Sequence, residues 1–370
     1  MKRLVLVGGG HSHLFVLEAF AQAPLPNVEI VLVNCTMHAP YSGMLPGLIA
    51  GLYEFDECHI HLESLTQRCN VQFRQTRVLS ADLARRQLTL ADDTTLHYDL
   101  LSINTGSTPP LSDTPGAKEN VLAIKPIEDF LLGWKAMREA IAKRDQPVRV
   151  ALVGGGVGGV EIALAMQHAL RSDSLHKLTF EVVCDTPDIL MTHNAYVRRK
   201  FQRILAQRGI AIRANSRVIG IENRRLFFEQ GDSMTYDFIV WVTGAEPAKW
   251  LGAAGLATDS AGFIQINASM QSISHSSVFA AGDCATFPDH PRPKSGVYAV
   301  RQGPPLARNL RHALNGEALE AYTPQTRALA LISSGDPYAV ASWGAIGFAG
   351  NWVWRWKDRI DRRFVERFSH

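Results

Sequence analysis

The sequence predicts an α/β fold: two Rossmann-like domains followed by a small C-terminal module. Three observations predict it. An apolar strand, a glycine turn and a helix-forming run occur twice, as "KRLVLVGGGHSHLFVLEAF" from Lys2 and "RVALVGGGVGGVEIALAM" from Arg149. Each copy is followed by the same order of elements: a second apolar strand, an alternating meander, and a strand that ends in Thr-Gly. Strands alternating with helical runs belong to parallel-sheet α/β units rather than to hairpin folds. After both copies comes a short hairpin pattern and then a helix rich in Trp, Phe and Arg.

The bulk numbers agree. A chain of 370 residues has room for two domains. Its 46% hydrophobic and 20% charged content are those of a soluble globular protein. A net charge of +3 does not by itself point to nucleic acid. No apolar run reaches the roughly 18 residues that span a bilayer. Lys2 and Arg3 lead straight into a strand, so no signal peptide and a cytoplasmic location are expected. The five cysteines, Cys35, Cys58, Cys69, Cys184 and Cys284, contain no C-x-x-C pair, and free thiols are expected. Cys58, His59 and His61, with His11 and His13, read as imidazoles scattered over a loop or helix start, and no metal is expected.

In the second copy Gly154-x-Gly156-x-x-Gly159 lies between a β-branched strand and a helix. That context is what a dinucleotide-binding turn requires. One glycine makes the tight turn, the next lets the backbone approach a pyrophosphate, and the third lets helix and strand pack closely. The helix N-terminus offers free N–H groups to the phosphates. The first copy keeps Gly8 and Gly10 but has His13 in the third place, with His11 opening the helix. His13 is either a spacer at the helix start or a hydrogen-bonding group for a cofactor or a neighbouring loop.

"VEIVLVN" (28–34) and "FEVVCD" (180–185) are the second strands. The acid that usually takes the adenosine ribose is replaced by Asn34 in one and by Cys184, then Asp185, in the other, so neither NAD nor NADP is selected. "LLSINTG" ends at Thr105-Gly106 and "FIVWVTG" at Thr243-Gly244, points where the chain passes close to a bound nucleotide. "SVFAAGDCA" ends in Gly282-Asp283, and Asp283 is placed to accept from ribityl hydroxyls. A helix follows from about Ser295, and Pro304 and Pro305 should kink or restart it.

Taken together, Gly8 to Gly10, Thr105-Gly106, Gly154 to Glu161, Thr243-Gly244 and Gly282 to Ala285 resemble, in that order, the pyridine nucleotide-disulfide oxidoreductases. These are glutathione reductase-like proteins with one FAD-binding and one NAD(P)-binding domain. Without a redox cysteine pair, the chain is more similar to the type II NADH dehydrogenase and sulfide:quinone oxidoreductase branch. "GGGHSHLFVL", "PYSGMLPGLIAG", "GVYAVRQGPPLARNL" and "WRWKDRIDRRF" are similar to a subgroup often fused to the N-terminus of selenophosphate synthase, in which His13 belongs to the pattern. The chain is then either a stand-alone member or a piece of such a fusion.

The resemblance implies FAD as cofactor and NAD(P)H as co-substrate. It implies residues 1–112 and 246–318 as the FAD domain, 113–245 as the NAD(P) domain, and 319–370 as the C-terminal module. It places Val78 and Lys294 with the glycine-turn residues around the cofactors, and Glu161 beside the nicotinamide. The other reading of Glu161 is a carboxylate in the first helical turn, favoured there by the helix dipole.

"NWVWRWKDRIDRRFVERF" (351–368) steps Val353, Trp356, Ile360, Phe364 and Phe368 along one helical face, among six basic and three acidic residues. Such a helix docks on its own protein, on a second copy, or on a membrane surface. "RALALISSGDPYAVASWG" before it reads as a hairpin turning at Gly335-Asp336-Pro337. Two functions follow. One is an enzyme passing electrons from NAD(P)H through flavin to a quinone or other small acceptor, or a sulfide:quinone-type enzyme that does not use NAD(P)H. The other is a flavin-bearing accessory module, associated through selenophosphate synthase with selenium metabolism.

Overall fold

The computed structural model describes residues 1–171 and 178–369. The first unit is a five-stranded parallel sheet in the order Val278–Ala280, Leu100–Ile103, Lys2–Val7, Val28–Asn34, Gln72–Gln75. The second is also five-stranded and parallel: Leu122–Ala123, Phe238–Trp241, Val148–Val153, Leu178–Val183, Ile210–Arg213. The glycine-turn strand is central in both. Leu4 to Val7 and Val150 to Val153 are buried on both faces, which is why these strands read as unbroken apolar runs.

Each unit carries an antiparallel three-stranded meander, over residues 78–97 and 218–235. Both meanders have a register irregularity in their first strand, at Val78/Ser80 and Val218/Gly220. The repeat therefore extends to local defects. The segments after the two Thr-Gly pairs meet: Thr108 and Glu246 exchange backbone N–H···O=C bonds of 2.9 and 2.7 Å.

The helix Gly296–Asn315 lies along the first glycine-turn helix, His11–Gln22. It corrects one expectation, because it runs unbroken through Pro304 and Pro305. Each proline removes a helix hydrogen bond, yet Gly303 and Pro305 are buried, and a side chain at Gly303 would collide with the Phe15 ring. Packing against the neighbouring helix outweighs the lost bonds.

The C-terminal module is a three-stranded antiparallel sheet, Ala330–Ser333, Ala339–Trp343 and Ile346–Gly350, followed by the helix Asn351–Ser369. The expected hairpin is its first two strands, and the third strand extends it. The sheet docks on the second unit. Gly335, at φ +82°, sits tight against the Leu164 carbonyl, and Arg208 pairs with Asp336 at 2.8 Å. The helix docks on the first unit through Arg362–Glu57 (2.5 Å), Arg367–Glu18 (2.7 Å) and Phe368 against Phe15. The module thus straps the two units together.

The docking face of this helix is only in part the one its apolar residues mark: Val353, Phe364 and Phe368 face inward, but Trp356 and Ile360 do not. Trp356 and Ile360 are 38% and 42% exposed, whereas Lys357 and Asp361 are only 8% and 5% exposed. Val353, Val365 and Phe368 complete the buried stripe. Among the described residues no helix is long and apolar enough to cross a membrane.

Candidate functional site

The two glycine turns are built alike. Gly8 (φ +94°) and Gly154 (φ +132°) each donate to the second strand of their sheet, Gly8 N–H to the Val33 carbonyl and Gly154 N–H to the Val183 carbonyl, both at 2.8 Å. The β-carbon of any other residue at either position would press on the backbone of the Thr-Gly strand end. At the third place the copies diverge. A side chain on Gly159 would run into the Gly154 carbonyl oxygen. His13 instead bonds the corresponding Gly8 carbonyl through Nδ1 at 2.6 Å, while its Nε2 meets Ser102 Oγ at 2.8 Å. A carbonyl can only accept, so Nδ1 carries the proton and Nε2 accepts from the serine. The ring is fully buried, and burial holds its pKa down at about 4. With both nitrogens taken by protein atoms, His13 supports the turn from beneath and does not face a nucleotide.

Asn104, which sequence reading passed over, ties the same corner together. Its Oδ1 accepts from the backbone N–H of Ser12 (3.1 Å) and His13 (3.3 Å), and its Nδ2 donates to the Ala281 carbonyl at 2.6 Å. It therefore links the helix start to the Gly282-Asp283 turn. The second copy has Val242 at this point. That contrast within "INTG" and "WVTG" was the signal available.

Asn34 and Cys184 occupy equivalent positions after Val33 and Val183. Asn34 Oδ1 accepts from Gly9 N–H at 2.8 Å and its Nδ2 donates to the Thr36 carbonyl at 2.8 Å. Cys184 lies beneath Gly155 and its thiol reaches the Thr186 carbonyl at 3.6 Å. Thr36 and Thr186 then each bond the carbonyl two residues on, at 2.8 Å. Both residues thus organise their own loops, and Asp185 is exposed just beyond. Val78 is a core residue of the first unit, its side chain turned inward.

Asp283 stands at the mouth between the units. Lys125, from the second unit, approaches it at 3.4 Å, and Ser107 Oγ at 3.5 Å. Lys294 donates to the Ala285 carbonyl at 2.6 Å over the Phe263 ring, and burial lowers its pKa. His11 is packed between Tyr41 and Phe364. Burial lowers its pKa to about 4, opposed by Asp283 and aided by Lys125. Its buried Nε2 has no protein partner. Beyond Gly106 and Gly156 there is open space. Orphaned polar nitrogen, a carboxylate–amine pair and bare backbone facing open space fit a polar, phosphate-bearing cofactor. All five cysteines are unpaired, and Cys284 is buried with its thiol turned to the Ile103 and Ala281 carbonyls.

Glu161, one turn into the helix Val157–Ala169 and not in its first turn as expected, is engaged by the C-terminal module. Its Oε1 accepts from Ser333 N–H (2.7 Å) and Ser333 Oγ (2.9 Å). Burial raises its pKa, with Lys357 acting against that. Lys357 Nζ reaches Asp361 Oδ2 at 2.5 Å and the Gly43 carbonyl at 2.6 Å. Sequence reading missed Lys357 and Asp361, because they lie on the buried side of the helix between Val353 and Phe368, where charged residues were not expected.

A glycine turn at the head of each of two parallel sheets, with buried ionisable groups between them, defines a two-domain α/β oxidoreductase. Residues 2–303 match the family described as pyridine nucleotide-disulphide oxidoreductase, and the chain belongs to that family. It is 25% identical over 339 residues to the NADH dehydrogenase-like protein YutJ of Bacillus subtilis, covering 90% of each chain. It is 25% identical over 348 residues to the demethylphylloquinone reductase NdbB of Synechocystis, covering 90% of this chain and 85% of the relative. The sulfide:quinone oxidoreductase structure from Aquifex aeolicus superposes with a TM-score of 0.83 at 20% identity, covering 100% of this chain and 92% of that one.

Proposed function

We propose that the protein is an FAD-dependent oxidoreductase that passes electrons from NAD(P)H to a quinone-type acceptor. The observation that carries this is the pair of matching glycine turns at Gly8 and Gly154, each heading a five-stranded parallel sheet, with Lys125 of the second unit reaching Asp283 of the first. FAD belongs at the first turn, held by Gly8 to His11, Asp283, Lys125 and Lys294. NAD(P)H belongs at Gly154 to Gly159. Bound FAD supplies the hydride-accepting and electron-donating chemistry. The chain's own residues bind and orient: the helix start at His11 receives phosphate oxygens, and the orphaned His11 Nε2 accepts a hydroxyl. Names of relatives that reduce quinones or resemble NADH dehydrogenases support the acceptor and the donor.

The exposed Trp352, Trp356 and Ile360, flanked by Arg355, Arg359 and Arg363, support docking of this helix face on an anionic bilayer, where quinones reside. The test is the anaerobic visible spectrum. A flavin spectrum bleached by NADH or NADPH and restored by a quinone is the expected result. A flavin spectrum unmoved by both nicotinamides sinks the reading. An accessory role beside selenophosphate synthase rests on the sequence resemblance that includes His13, and co-purification of the synthase with the unreactive flavoprotein would favour it.

A further inference from the structure

The rings of His11, Tyr41 and Phe364 come from separate parts of the chain and close on one another. His11 opens the helix of the first glycine turn. Tyr41 lies in the excursion between the strands His38–Pro40 and His59–His61, and Phe364 lies in the C-terminal helix. Tyr41 and Phe364 stack at 4.5 Å, and His11 meets them at 5.2 and 5.4 Å. A β-carbon on Gly296, the first residue of the helix Gly296–Asn315, would lie 3.6 Å from Ser42 Oγ and 3.9 Å from His11 Cε1. Two helix starts and the loop Tyr41–Met44 thus wall one space, where the phosphates of the cofactor belong. The C-terminal helix grips this excursion from outside. Lys357 Nζ donates to the Gly43 carbonyl at 2.6 Å. Arg362 pairs with Glu57 at 2.5 Å and lies 5.0 Å from the centre of the Tyr53 ring.

The helix is held differently along its length. Its start is rooted in its own module, where Val353 packs with Ala339 and Ala341 of the sheet. Its final turns rest on the first unit through Val365 and Phe368 and through polar ties. Arg367 binds both carboxylate oxygens of Glu18, at 2.8 and 2.7 Å, and Arg68 donates to the Phe368 carbonyl at 2.7 Å. An element held by few apolar side chains and by exposed ion pairs opens at low cost while the rest of the domain stays folded. We propose that the C-terminal helix is a latch on the FAD site. It lifts from the first unit about its root to let FAD in or out, and Phe364, closing on Tyr41 and His11, is the side chain that shuts it. The rate of FAD release is then the intrinsic rate multiplied by the fraction of molecules with the helix lifted. The assignment rests on FAD as the occupant of the first turn. Glu18 lies about two turns beyond His11 on the same helix, so its pair with Arg367 acts on the cofactor only by way of helix docking.

The test uses the full chain, loaded with radiolabelled FAD and chased with excess unlabelled FAD, the label left on the protein being followed by gel filtration. The variants are Phe364→Ala, Arg367→Glu, and Arg367→Glu with Glu18→Arg, which rebuilds the pair in reverse. Expected release is about tenfold faster for Phe364→Ala, about fivefold faster for Arg367→Glu, and within about twofold of wild type for the reversed pair. Hydrogen exchange supplies a readout independent of turnover. Amides of residues 361–369 in Arg367→Glu should exchange faster by the same factor as FAD release, while the strands Lys2–Val7 and Leu100–Ile103 stay protected. The charge pair decides the matter even if Phe364→Ala loses that strand protection. Release unchanged in Arg367→Glu overturns the proposal, as does faster release that the reversed pair does not restore, or faster helix exchange without faster release. A wild-type chain that retains no FAD overturns the cofactor reading instead, and is recognised at loading, before any variant is compared.

Discussion

His13 shows how one residue takes over a glycine's task. In the second copy the bare Gly159 packs on the Gly154 carbonyl, while in the first an imidazole hydrogen-bonds that carbonyl's counterpart. His13→Ala should therefore cost about 2–4 kcal/mol, from an unsatisfied buried carbonyl and the space left behind, read as a lower urea midpoint. The same ring, with His11, makes stability depend on pH. Burial lowers both pKa values from 6.5 to about 4. The unfolded chain binds protons on these rings below about pH 6.5, so the fold binds fewer. Stability is then complete above that pH and is lost as pH falls toward 4. Urea midpoints measured from pH 7.5 to 4.5 should fall for wild type and fall less steeply for His13→Gln. Parallel slopes would show that His13 is not held neutral.

At the scale of elements, the helix Gly296–Asn315 keeps two prolines because packing overrules propensity. Pro304 is exposed, and only its missing N–H and its ring oppose the helix. Pro304→Ala restores a donor to the Val300 carbonyl and should raise stability by about 1 kcal/mol, after the entropy gained by the unfolded chain is set against it. Thermal melting of the holoprotein checks this, and a lower Tm would mean the proline shapes the helix. The turn at Gly335 acts in the opposite sense. Its φ of +82° and its contact with the Leu164 carbonyl leave no room for a side chain. Gly335→Val should lift the C-terminal sheet from the second unit, exposing residues 330–350 to limited proteolysis while the first unit stays resistant.

For the whole molecule, the C-terminal module decides how the two units face each other, because it grips both. It also turns Trp352 and Trp356, stacked with Phe348, toward solvent. Vesicles containing anionic lipid should bind the protein and shift its tryptophan emission to the blue, with binding weakened by salt. Trp352→Ser with Trp356→Ser should reduce that binding at least tenfold without altering bleaching by a nicotinamide. Equal binding of the double variant would assign the patch to something other than a bilayer.

The sequence by itself determined the duplicated architecture, because strand burial, glycine turns and Thr-Gly ends are local requirements that each copy meets within a few residues of chain. Lys2–Val7, Val28–Asn34 and Val148–Val153 were legible for that reason. The C-terminal helix was legible as a helix too, since its periodicity is local. Which of its faces is buried was settled only by tertiary structure. Periodicity locates apolar residues, but the docking face is chosen by whatever partners the rest of the fold presents, and here those are the Gly43 carbonyl, the Tyr41 ring and the acids Glu18 and Glu57. The same holds for Asn104 and for the pairing of Lys125 with Asp283, 158 residues apart in sequence. Their meaning lies in contacts across the chain, and a contact between distant segments leaves no spacing in a single sequence to read.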